Sequence, residues 1–84
     1  MAVYALWDLQ TETLIDESED PGQILEAIQQ CRTAFTPEEM PVLGLTEYHP
    51  ALQTHHSISG EDVVVAHLQK RLDARQRRAS TKSS

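Results

Sequence analysis

The sequence predicts an α+β domain in ββαββα order, with one four-stranded, mainly antiparallel sheet and two helices. Three observations predict it. Segments rich in β-branched, aromatic and other apolar residues come in two pairs. Each pair is followed by an apolar stripe at helical spacing that opens on acidic residues. The links within each pair are short enough for hairpins, which favours antiparallel pairing with helical cover.

The elements follow in order. Val3-Tyr-Ala-Leu-Trp-Asp8 predicts a first strand over about 2–8, and Leu14-Ile15 centre a second over about 13–17, joined through Gln10-Thr11-Glu12. Asp20 is placed to cap a helix, Pro21 suits its first position, and Gln23 completes a capping-box spacing. Ile24, Ile28, Cys31 and Phe35 then recur at helical spacing, predicting a helix over about 21–35 with those four residues buried. Thr36-Pro-Glu-Glu39 offers one helical turn before Pro41. Val42 to Tyr48 reads as the third strand, His49-Pro50 as a two-residue turn, and Leu52 to Ile58 as the fourth strand. On that register His55 and His56 lie across from about Gly44 and Leu43. Ser59 caps a second helix whose stripe is Val64, Leu68 and Leu72. Past Leu72 apolar residues almost cease. The expected organisation is a single domain over residues 1–73 and a basic, disordered tail over 74–84.

Charge is divided along the chain. Of the 84 residues, 1–69 hold twelve carboxylates against Arg32 alone, a formal −11; 70–84 hold six cations against Asp73, a formal +5. An acidic body repels nucleic acid, so only the tail can attract phosphates. Cys31 is the single cysteine, which excludes a disulfide scaffold and points to a reducing compartment. No signal-peptide pattern or membrane-length apolar run is present. A cytoplasmic protein without membrane contact is the expectation.

Candidate chemistry is sparse. His49, His55, His56 and His67 fit no zinc-ligand spacing, and neighbours on a strand point to opposite faces. Cys31 sits within the helix stripe, where a small buried hydrophobe is expected rather than a thiolate. Asp16, Glu17, Glu19 and Asp20 lack the alternation and glycine of a calcium loop and suit a helix entrance. The three glycines form no phosphate cradle. No catalytic residue, metal ligand or cofactor is assigned.

Tyr4-Ala5-Leu6-Trp7-Asp8, Thr11, Leu14-Ile15, the acid-started helix, Leu43-Gly44-Leu45 and Ile58-Ser59-Gly60 together resemble a group of small uncharacterised bacterial proteins. Those open with an aromatic–Ala–Leu–aromatic–Asp hairpin and continue through a helix and a second hairpin. The resemblance spans residues 3–72 and implies a bacterial cytosolic setting, with no function attached. It departs from the group at Thr11-Glu12-Thr13, where members carry a glycine.

Two functional expectations follow. The first is a non-catalytic interaction, regulatory or accessory module with an unidentified protein partner, working as a homodimer. Both faces of the first hairpin are apolar, and Val3, Ala5 and Trp7 form the candidate interface. Either a second copy or the C-terminal helix is expected to cover them. The second is a nucleic-acid-associated, antitoxin-like regulator contacting polyanions through Arg71, Arg75, Arg77 and Arg78. The acidic body and the lack of a stacking-aromatic motif count against it.

Overall fold

The computed structural model describes the backbone of residues 2–82 and the side chains of 2–77. Its elements are β1 (Val3–Asp8), β2 (Thr13–Ser18), α1 (Pro21–Ala34), β3 (Leu43–His49), β4 (Thr54–Ser59) and α2 (Glu61–Lys82). The strands form one antiparallel sheet in the order β2-β1-β3-β4. The ββαββα α+β architecture is as the sequence predicts.

Both helices lie on the same face of the sheet. Tyr4 and Leu6 of β1, Leu43 and Leu45 of β3, Ile24 and Ile28 of α1, and Val64 and Leu68 of α2 make one buried cluster. The C-terminal helix therefore does not cover the face that carries Val3, Ala5 and Trp7. Strand alternation sends those three, with Thr46 and Tyr48 of β3, to the side away from the helices. Leu9 folds back over Gly44 on that side. A Cβ at position 44 would come within 2.6 Å of the Leu9 side chain, so a larger residue there would push Leu9 off the sheet.

The order β2-β1-β3-β4 reads the same from either end when the two ββα units are exchanged. The register makes the correspondence residue by residue. Asp8 pairs with Thr13 as His49 pairs with Thr54, and Glu12 and Gln53 both take positive φ in the two hairpin loops. A bulge opposite Leu6 and Trp7 gives β2 one extra residue. Beyond it, Leu6 faces Asp16 as Glu47 faces His56. Ile24 and Ile28 then correspond to Val64 and Leu68, all four buried. The outline repeat of the sequence is thus a repeat of pairing geometry about an approximate two-fold between β1 and β3.

Several boundaries differ from expectation. The second hairpin loop is Pro50–Gln53, so His49 ends β3 and Leu52 is 72% exposed in the loop. His55 and His56 consequently pair with Tyr48 and Glu47, not with Gly44 and Leu43. Asp20 does cap α1, its Oδ1 accepting from Gly22 N at 2.9 Å, but Gln23 completes no box with it. The Asp20 amide instead donates to Ser18 Oγ at 3.0 Å. Gly60, not Ser59, directly precedes α2. Its φ of +97° suits glycine, and its carbonyl accepts from Val64 N at 2.9 Å. Phe35 ends α1 at 43% exposure and Cys31 is half-buried at the rim, so the α1 face narrows to Ile24 and Ile28. The backbone is helical to Lys82, through residues the sequence assigns to a disordered tail.

Ile28→Ala is expected to lower unfolding stability by about 2–5 kcal/mol in urea titration, because it opens a cavity among fixed neighbours. Phe35→Ala is expected to cost about 1 kcal/mol or less, being at the surface. Equal losses would place Phe35 in the core.

Candidate functional site

Leu43, Leu45, Glu47 and His49 alternate along the helix-facing side of β3. The third position therefore carries a carboxylate into a row of leucines. Glu47 is 2% exposed. An isolated buried carboxylate is costly, so its oxygens must find donors. β3 supplies one two residues on: His49 Nε2 lies 2.8 Å from Oε2. α2 supplies the rest. Val64, His67, Leu68 and Arg71 share one helical face, so two apolar residues anchor the helix while two polar ones meet the glutamate. His67 Nε2 is 3.2 Å from Oε1. Arg71 Nε and Nη2 reach Oε1 and Oε2 at 3.1 and 3.2 Å. His56, opposite Glu47 on β4, brings its ring to 6.1 Å from that of His67.

Burial alone would raise the Glu47 pKa. Hydrogen bonds from His49 and His67, with the charge and hydrogen bonds of Arg71, outweigh it and hold the group at about 2. An ionised carboxylate only accepts, so both imidazoles present Nε2–H to it. Tyr4, across from Glu47 on β1, has its phenol pushed above the ordinary value by burial and then by the Glu47 charge. The arrangement fixes side chains in place. It is poorly suited to proton transfer near neutrality, since Glu47 stays ionised.

The repeat supplies an internal comparison. Leu6 holds the place of Glu47, Ala27 that of His67 and Cys31 that of Arg71. The first unit fills with apolar groups what the second fills with an ion cluster, so the architecture itself does not require the charge. A cleft of about 320 Å³ opens beside the cluster, lined by Tyr4, Glu19, Pro21, His49, Arg71 and Arg75 among others.

The remaining candidates are dispersed. His55 stacks on Tyr48 on the helix-free face, with ring centroids 4.6 Å apart. Both Glu47 oxygens face Arg71, and among the described residues no three His, Cys, Asp or Glu side chains are arranged to hold a metal. Burial raises the Cys31 thiol, which disfavours the thiolate. Arg71 meets Glu47 and Arg75 lies 3.5 Å from Asp20, while Arg77 is exposed and the Arg78 side chain lies outside the described residues. Of the proposed interface residues, Ala5 is buried among its neighbours, and Val3 and Trp7 are half-buried. Glu47 went unread in the sequence, although its parity with Leu43 and Leu45 was the available signal. No protein-family model, curated protein or solved structure matches the chain.

Glu47 makes stability depend on acid. Its folded pKa is depressed to about 2 from an ordinary 4.5, so its contribution is full above pH 4.5 and disappears as pH falls through 2. The gap is worth about 3 kcal/mol. Denaturant titrations from pH 5 to 2 should show Glu47→Gln losing much less stability than the parent over this window. Parallel loss in the two proteins would mean that other carboxylates carry the dependence.

Proposed function

We propose that this chain is a non-catalytic interaction module, regulatory or accessory in role, which works in the cytoplasm as a homodimer through the open face of its sheet. The observation that carries the reading is the placement of both helices on one face. The opposite face keeps Val3, Ala5, Trp7, Tyr48 and the side chain of Leu9 outside the core.

Charge favours a second copy as the occupant. The body is strongly acidic, so two copies repel through most of their surface. Among the described strand residues, alternation leaves Glu17 on the edge strand β2 as the one carboxylate of the open face, with no lysine or arginine. A two-fold contact juxtaposes a surface with itself, and a nearly uncharged surface tolerates that best. Four strands of about six residues present roughly 400 Å² of projected face. Stable complexes bury about 800 Å² per partner, so the dimer is weak, at micromolar concentrations.

Contact with nucleic acid through Arg71, Arg75, Arg77 and Arg78 is less well supported. Arg71 and Arg75 already face Glu47 and Asp20. Cations committed to carboxylates have little left for phosphate.

Light scattering across a dilution series tests the proposal. The parent should pass from dimer to monomer as it is diluted through the micromolar range. Trp7→Ala should weaken the dimer by about 2 kcal/mol or more, roughly thirtyfold, since a central tryptophan dominates such a contact. A parent monomeric at every concentration would reject self-association.

A further inference from the structure

The sheet ends on β2 at one side and on β4 at the other, and the two edges differ. β2 carries Asp16, Glu17 and the bulge, features that keep an edge from pairing with another chain. β4 has no Asp, Glu, Lys, Arg or Pro and no break in its register with β3, and every residue of it but Ile58 is exposed. Its backbone phase says which groups are free. Gly60 N donates to Leu43 O at 3.0 Å. In an antiparallel ladder that role recurs at every second residue, so Ile58, His56 and Thr54 turn their amides and carbonyls toward β3. His55, Ser57 and Ser59 turn theirs outward, to the open edge.

A strand with this pattern is complementary to itself. Set antiparallel to a second β4 with Ser57 facing Ser57, it places His55 opposite Ser59 in both directions. Each of the facing pairs exchanges two hydrogen bonds. No carboxylate, lysine or arginine of β4 meets its own copy, which matters in a chain whose acidic body repels other copies. The chain already uses such a two-fold internally, since β1 and β3 are antiparallel neighbours with their helices on one face. Repeated at β4, it sets the α2 helices of two copies side by side on that same face. Val63 and His67, one turn apart, lie on the edge side of α2. His67 brings its ring to 6.1 Å from that of His56 on β4, while Glu61, on the other side of the helix, pairs with Arg32 of α1. Val63 is 55% exposed, and a second α2 covers it.

We propose that β4 is a self-pairing edge, through which two copies join into one continuous antiparallel sheet. The pairing stands on the ladder and needs nothing from the helix-free face. Its bonds replace bonds to water, so the contact is weak on its own. Its consequence for the open face, which does rest on the homodimer reading above, is area. The roughly 400 Å² of one sheet becomes about 800 Å² in a joined pair, the extent that a stable contact needs. Two joined pairs set face to face make a tetramer.

Light scattering at concentrations up to about 1 mM, with amide-exchange NMR on the same samples, tests the proposal. The parent should approach the tetramer. Ser57→Pro removes an outward amide and no bond to β3, and Val63→Lys sets a cation beside its own copy, so each should stop at half that mass. Trp7→Ala should also stop at half, and Ser57→Pro combined with Trp7→Ala should be monomeric. The amides of His55, Ser57 and Ser59 should gain roughly tenfold or more protection between dilute and concentrated parent, and no such gain in Val63→Lys. Ser57 and Val63 are both exposed, and Val63→Lys decides the matter if Ser57→Pro does not fold. Trp7→Ala matching the parent while Ser57→Pro is monomeric would reject the open-face contact and leave the edge standing. Unchanged mass in both Ser57→Pro and Val63→Lys, or outward amides unprotected at the highest concentration, would overturn the proposal.

Discussion

A carboxylate buried among leucines sets the terms for half of this molecule. Glu47 occupies the helix-facing row of β3 and is stable there as an ion only because four donor atoms converge on it. Those donors come from two elements. His49 is on the same strand, and His67 and Arg71 are a turn apart on α2. The glutamate therefore fixes how α2 lies over β3, while Val64 and Leu68 supply the apolar contact alongside. Removing one partner of such a cluster is costly because it leaves a buried charge uncompensated.

The first ββα unit shows what the fold is like without that constraint. Its Leu6, Ala27 and Cys31 stand at the places of Glu47, His67 and Arg71: Leu6 is fully buried, Ala27 packs against the core and Cys31 lies at its rim. The architecture tolerates both solutions because strand order and register repeat while the side chains differ. A single inserted residue in β2 separates the two halves and produces the bulge opposite Leu6 and Trp7. With both helices on one side, the sheet keeps a second face on which the two inner strands set Val3, Ala5, Trp7 and Tyr48 around Thr46, with no charged residue of β1 or β3 among them. The buried polar side chains thus gather between β3 and α2, and Val3, Ala5 and Trp7 lie on the far side of the sheet.

Much of the fold was legible because local signals agreed. Asp20-Pro21 marks the start of α1, and Ile24 and Ile28 mark its buried side. Cys31 and Phe35 continue that spacing but miss the core, since periodicity says which face a residue shares and not where the sheet beneath it ends. His49-Pro50 suggests a two-residue turn because proline suits the centre of a tight turn. The actual loop reaches positive φ at Gln53, which no glycine announces. α2 outlasts its apolar stripe because Ala74, Arg75, Gln76, Arg77 and Ala79 are good helix formers. The ion cluster was the least legible feature. A glutamate in a strand is usually solvent-facing, and its partners lie twenty or more residues away on a helix.

Titration of the Glu47 side-chain carboxyl by carbon-detected NMR in the folded protein tests this account most directly. A midpoint near 2, rising toward the ordinary value when Arg71 is replaced by methionine, is the result that a buried, donor-saturated carboxylate requires. A midpoint near 4.5, unmoved by that replacement, would mean that Glu47 is solvated and that the second unit is not organised around its charge.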